Sequence, residues 1–168
     1  RDGIVYQDSV IQEVSATTGE QVFQWSSAEE IPLSDQLRPD EVEYAHINSV
    51  FVDDDENFLA SLRGTSQIVK IDRETGRVVW KLGGLSNEFT IDDPLGGPCG
   101  QHHVTRLANG NILYFDNGIY CPPEYPDRGD MSRAVEYELD EINKTARLVW
   151  SFERPGYYGP SGGSAQRL

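Results

Sequence analysis

The chain's three histidines, His46, His102 and His103, are its only imidazoles. Imidazole is a nucleophile, a proton donor or a proton acceptor near neutral pH. Arg63 adds a fixed positive charge whose planar fork suits a tetrahedral oxyanion. Together these groups point to chemistry on an anionic group. Zinc is the other common use of histidine, but no third strong ligand stands at a suitable spacing, and no metal is expected. The run Asp53-Asp-Asp-Glu-Asn57 has acids at alternate positions. It lacks the glycine and the distal glutamate of a calcium loop, and reads as a solvated hairpin turn.

What must position these residues is a segment that occurs twice. The first copy runs through His46-Ile-Asn-Ser, Asn57-Phe-Leu-Ala-Ser-Leu-Arg63, Gln67-Ile-Val-Lys-Ile-Asp72 and Thr75-Gly-Arg-Val-Val-Trp80. The second runs through Gln101-His102-His103-Val, Asn111-Ile-Leu-Tyr-Phe-Asp-Asn117, Ser132-Arg-Ala-Val-Glu-Tyr-Glu-Leu-Asp140 and Thr145-Ala-Arg-Leu-Val-Trp150. Each copy reads as four short strands, the signature of a β-propeller blade. Val10–Val14 and Thr18–Trp25 match the last two strands of a unit, and Ser164–Leu168 matches the start of a first strand. The expectation is therefore an all-β chain. It holds the end of one blade over 1–30, full blades over 44–84 and 100–152, and a first strand over 162–168. Residues 27–44, 83–100 and 118–131 read as loops, the first with room for one helical turn. Trp25, Trp80 and Trp150 recur near the end of each outer strand and should pack between blades. Propellers close with roughly four to eight blades, so this stretch reads as part of a longer chain or of a homo-oligomer.

In a blade the first strand lines the central channel and the second runs antiparallel to it. The start of one then lies beside the end of the other. His46 and Arg63 should meet in this way, as should His102 and Asn117 in the next blade, so four polar side chains gather at one mouth of the channel. Strand alternation lets one of His102 and His103 face the channel while the other packs between blades. His102 is the favoured one. Cys99 and Cys121 should approach each other at the rim, either as a disulfide, which would imply an oxidising compartment, or as two buried thiols.

The net charge is −14, from 28 acidic and 14 basic residues. That excludes a phosphate-backbone surface, so no nucleic acid is expected, and it disfavours an anionic membrane. No apolar run is long enough to span a bilayer. Position 1 is Arg and no leader-like segment follows it, so a signal peptide reads as absent or removed. An anionic substrate would need a locally positive pocket against this background.

Several motifs taken in order resemble the bacterial arylsulfate sulfotransferase family. They are His46-x-Asn48-Ser, Ser61-x-Arg63, Thr75-Gly-x-Val-x-Trp80-x-Leu-Gly-Gly84, Gln101-His102, Phe115-Asp-Asn-Gly118 and Ser132-Arg-Ala-x-Glu-Tyr137. The resemblance implies a six-bladed propeller that moves a sulfuryl group from an aryl sulfate to a phenol, without a nucleotide donor, metal or organic cofactor. His102 would be the transiently sulfated nucleophile. His46 and Arg63 would hold sulfuryl oxygens and offset charge on the leaving phenolate. Asn48, Asn117, Gln101 and His103 would contact substrate, and the protein would be periplasmic or extracellular. A non-catalytic propeller serving as a binding module is the competing reading, since propellers host many functions. A hydrolase, with water replacing the phenol, stands between the two.

Overall fold

A computed structural model describes residues 5–168. Arg1 and the three residues after it, the start of the expected partial blade, lie outside the described residues. The chain is all-β, with eleven strands, one four-residue helix and one 3-10 turn among the described residues. Three sheets follow one another. The first is a hairpin of β1 (Val10–Val14) and β2 (Gln21–Ser26). The second is a meander of β3 (Ile47–Val52), β4 (Phe58–Leu62), β5 (Gln67–Ile71) and β6 (Val78–Gly83). The third runs through β8 (His102–Arg106), β9 (Ile112–Asp116), β10 (Arg133–Asp140) and β11 (Thr145–Glu153), with β7 (Thr90–Asp92) added beside β11. These residues do not close into a ring.

The meanders form because β-branched and aromatic runs alternate with turns that force the chain back. Asp72 receives the Glu74 and Thr75 amides on one carboxylate oxygen, and Gly76 takes the positive φ of 71° that closes the turn. Every residue of β4 and β5 is buried, because their sheet is covered on both faces. Alternation sorts the side chains. Phe58, Ala60, Leu62, Val69 and Ile71 join Ile11 and Trp25 in the core shared with the first sheet. Leu59 and Ile68 turn the other way, onto Val104, Ile112, Tyr114, Val135 and Tyr137 of the third sheet.

Some expectations need correction. The 83–100 stretch is not all loop: Ile91 packs against the core and draws β7 into parallel pairing with β11. In the 27–44 stretch the expected helical turn is α1 (Ser27–Glu30), and a 3-10 turn, Leu33–Asp35, follows it. Ser164–Leu168 is not a strand; Arg167 bonds Glu136 and lies over the Trp150 ring. Trp25 and Trp80 are buried between sheets, but Trp150 stays partly exposed.

The Asp53 turn is not simply solvated either. Asp53 is buried and receives Arg106 from the third sheet and Lys70 from the second. Glu141 bonds both cations and also accepts the Trp80 indole N–H. Burial alone would raise the Asp53 carboxyl, but the Arg106 contact outweighs it and holds the value at about 2. The interaction should therefore be fully present above the unfolded carboxylate value of about 3.9, and be lost as the pH falls through about 2. Asp53→Ala leaves two buried cations short of a partner and should cost about 3–5 kcal/mol in denaturant unfolding at neutral pH. A loss below 1 kcal/mol would mean that the network contributes little.

Candidate functional site

The strand ends bring the expected residues together. The Arg63 amide bonds the His46 carbonyl at 3.0 Å, where β3 begins and β4 ends. In the next sheet the His102 ring reaches Asn117 at 2.8 Å, where β8 begins and β9 ends. The charges of Arg63 and His46 both act on the His102 ring, so the two pairs share one field.

Asn117 decides the His102 tautomer. Its amide nitrogen donates to the carbonyls of Gly159 and Gly162, at 2.7 and 2.9 Å. That turns its oxygen to His102, so Nδ1 carries the proton and Nε2 keeps its lone pair. The Gly162 N–H lies 3.2 Å from that Nε2. Burial, reinforced by the Arg63 charge, pulls the imidazolium below the ordinary value of 6.5, against the opposing bond to Asn117. The ring is thus uncharged at neutral pH. His46 is oriented by Glu43, whose carboxylate lies 2.7 Å from Nδ1. Arg63 rests 4.7 Å from the centroid of the Tyr120 ring and donates to the Tyr120 hydroxyl and the Pro160 carbonyl, each at 3.4 Å.

Gln101 sits differently from the expectation. It has no exposed surface, and its side-chain nitrogen donates to the Gln67 carbonyl at 2.8 Å and to Ser61 Oγ at 3.1 Å. Its backbone carbonyl accepts from Asn48 and Ser61. Its side-chain nitrogen and backbone carbonyl are thus committed to the second sheet, and they anchor the chain where it enters His102. His103 departs from simple alternation. The β8–β9 ladder carries a bulge, with three residue steps from His102 to Thr105 opposite two from Phe115 to Leu113. His103 takes a positive φ of 58° there. Among the buried polar atoms without partners are Asn48 Oδ1, Arg63 Nε, Gln101 Oε1 and His103 Nδ1.

Behind the site, Cys99 and Cys121 are joined by a disulfide. The Cys99 amide donates to Asp116 at 2.9 Å, and Asp116 also receives Arg128 and Arg133. Arg133 reaches on to Asp93. This buried network clamps the loop before His102 and the loop after β9 to the end of β9. Glu43, Tyr120 and Gly162 were not singled out in the sequence. Glu43 stands three residues before His46 and Tyr120 beside Cys121, and only those spacings could have drawn attention to them.

The Arylsulfotransferase (ASST) family model matches residues 2–168. No curated protein matches the chain.

An NMR titration should place the His102 midpoint below 6.5. Arg63→Gln should move it upward, because the guanidinium favours the uncharged ring. A midpoint that stays put would show that the two groups are not coupled.

Proposed function

The chain belongs to the arylsulfotransferase family, and from that premise we propose that it transfers a sulfuryl group from an aryl sulfate to a phenolic acceptor through a sulfohistidine at His102. The observation that carries the reading is the fixed Asn117 amide, which leaves the Nε2 lone pair of an uncharged ring beside an arginine. A sulfate monoester is anionic, and neutral imidazole attacks it without charge repulsion. In the first step Nε2 forms a bond to sulfur and the bond from sulfur to the aryl oxygen breaks, releasing phenolate. In the second step the acceptor phenol gives up its hydroxyl proton, which ends through solvent on the phenolate released in the first step; its oxygen attacks sulfur, the N–S bond breaks and Nε2 regains its lone pair.

Arg63 neutralises sulfuryl oxygens, with its partnerless Nε as a further donor. His46, held by Glu43, offsets charge on the leaving phenolate. Asn48 Oδ1 and His103 Nδ1, also buried without partners, suit the hydroxyl of the acceptor. The Gly162 N–H must leave the lone pair before attack, and a sulfuryl oxygen is its natural next acceptor. No metal or organic cofactor enters these steps. The two four-stranded meanders suit blades of a six-bladed propeller around a channel. The disulfide suits a periplasmic or extracellular protein. Among the described residues no helix is long and apolar enough to cross a membrane.

Brief exposure of the intact protein to an aryl sulfate without acceptor should add one sulfuryl group at His102, read by intact mass and peptide mapping. His102→Ala should abolish both adduct and transfer. Arg63→Lys should slow transfer about 10²–10³-fold, the usual loss for one oxyanion donor, because an ammonium lacks the planar fork. No adduct and no released phenol in the unaltered protein would replace this reading with a binding module. Full activity in His102→Ala would remove the mechanism.

A further inference from the structure

Arg63 stands in a chain with 28 acidic residues, yet it makes no ion pair among the described residues. Its contacts are an aromatic face, a hydroxyl and a backbone carbonyl. A guanidinium in such a background would ordinarily be drawn to a carboxylate, which would cancel the charge an anionic ligand needs. One such carboxylate is that of Glu41. Its carboxylate and the Arg63 guanidinium both touch the same atom, the Tyr120 hydroxyl, which donates to Glu41 at 3.1 Å while accepting from Arg63 at 3.4 Å. Glu41 also faces Arg38, at 3.9 Å, and the Arg38 guanidinium itself lies 5.3 Å from the Tyr120 ring centroid.

Tyr120 is itself firmly placed. Its carbonyl accepts the Ser66 hydroxyl at 2.6 Å, and the same hydroxyl oxygen accepts the Gly100 amide at 2.8 Å. Its neighbour Cys121 is bonded to Cys99. The residue holds a positive φ of 59°, a conformation that non-glycine residues seldom adopt without such restraint.

We propose that Tyr120 is a positioning residue that keeps Arg63 unpaired: its hydroxyl occupies Glu41 while its ring seats the guanidinium, so that the Arg63 charge is reserved for the sulfuryl group of the substrate. The sulfuryl part of this inference rests on the transfer reading above; the reservation of charge does not. It also gives Glu41 a definite effect. Once released by loss of the hydroxyl, it becomes a competing anion for Arg63.

The test compares the unaltered intact protein with Tyr120→Phe, Glu41→Gln and the double variant. Two readouts are used: binding of inorganic sulfate by calorimetry, and KM and kcat for an aryl sulfate donor. Tyr120→Phe keeps the ring, and an unchanged melting curve would verify that the fold is retained. It should weaken sulfate binding about tenfold, the scale of one hydrogen bond to a charged group, and raise the donor KM more than it lowers kcat. Glu41→Gln added to Tyr120→Phe should restore both values, which a purely structural tyrosine would not allow. Unchanged sulfate affinity in Tyr120→Phe, a loss that Glu41→Gln does not repair, or no sulfate binding by the unaltered protein would each overturn the proposal. Sulfate binding with the expected rescue but no turnover would uphold it and reject the transfer reading instead.

Discussion

One buried residue ties the two complete sheets together beside the site. Gln101 donates from its side chain to Ser61 and to the Gln67 carbonyl, and its backbone carbonyl accepts from Asn48 and Ser61. All of its partners lie on the second sheet, while its chain continues directly into His102 on the third. Shape alone does not hold two apolar faces in one register, since burial is non-directional. A set of buried hydrogen bonds does, because any slip leaves donors unpaired at about 1–3 kcal/mol each. The placement of His102 relative to Arg63 depends on that link.

Around it the chain manages its charges by depth. Lys70 and Arg106 are spent on Asp53 and Glu141 at one end of the sheets. Arg128 and Arg133 are spent on Asp93 and Asp116 beneath the site. The cations of these pairs are buried, and the pairs lock neighbouring sheets and loops. Arg63 is the contrast, held by neutral groups. An acidic protein can receive an anion only where a cation has been kept out of such pairings, and here the keeping out is local, at a single tyrosine.

The nucleophile is prepared by geometry of the same kind. Asn117 could point either end of its amide at His102. Two carbonyls from the 159–162 segment remove the choice and with it the second tautomer. Burial and the Arg63 charge then keep the ring uncharged. No part of this requires an unusual residue. Ordinary groups are held so that only one arrangement satisfies them all.

Much of this was legible in the sequence, for definite reasons. The four-strand repeat is written in alternation and turn residues, both local properties. Antiparallel pairing then dictates that the start of one strand meets the end of the next, which brought His46 to Arg63, His102 to Asn117 and Cys99 toward Cys121. Contacts without a fixed register were not legible. The bulge that turns His103 out of alternation shows only in the pairing with β9, and the withdrawal of Gln101 into hydrogen bonds depends on neighbours tens of residues away. So does the Tyr120 hydroxyl between Glu41 and Arg63. Residue type and spacing decided which groups could do chemistry; only the packing of sheet on sheet decided which of them kept a free lone pair or an uncancelled charge, because both depend on every partner a group meets in space.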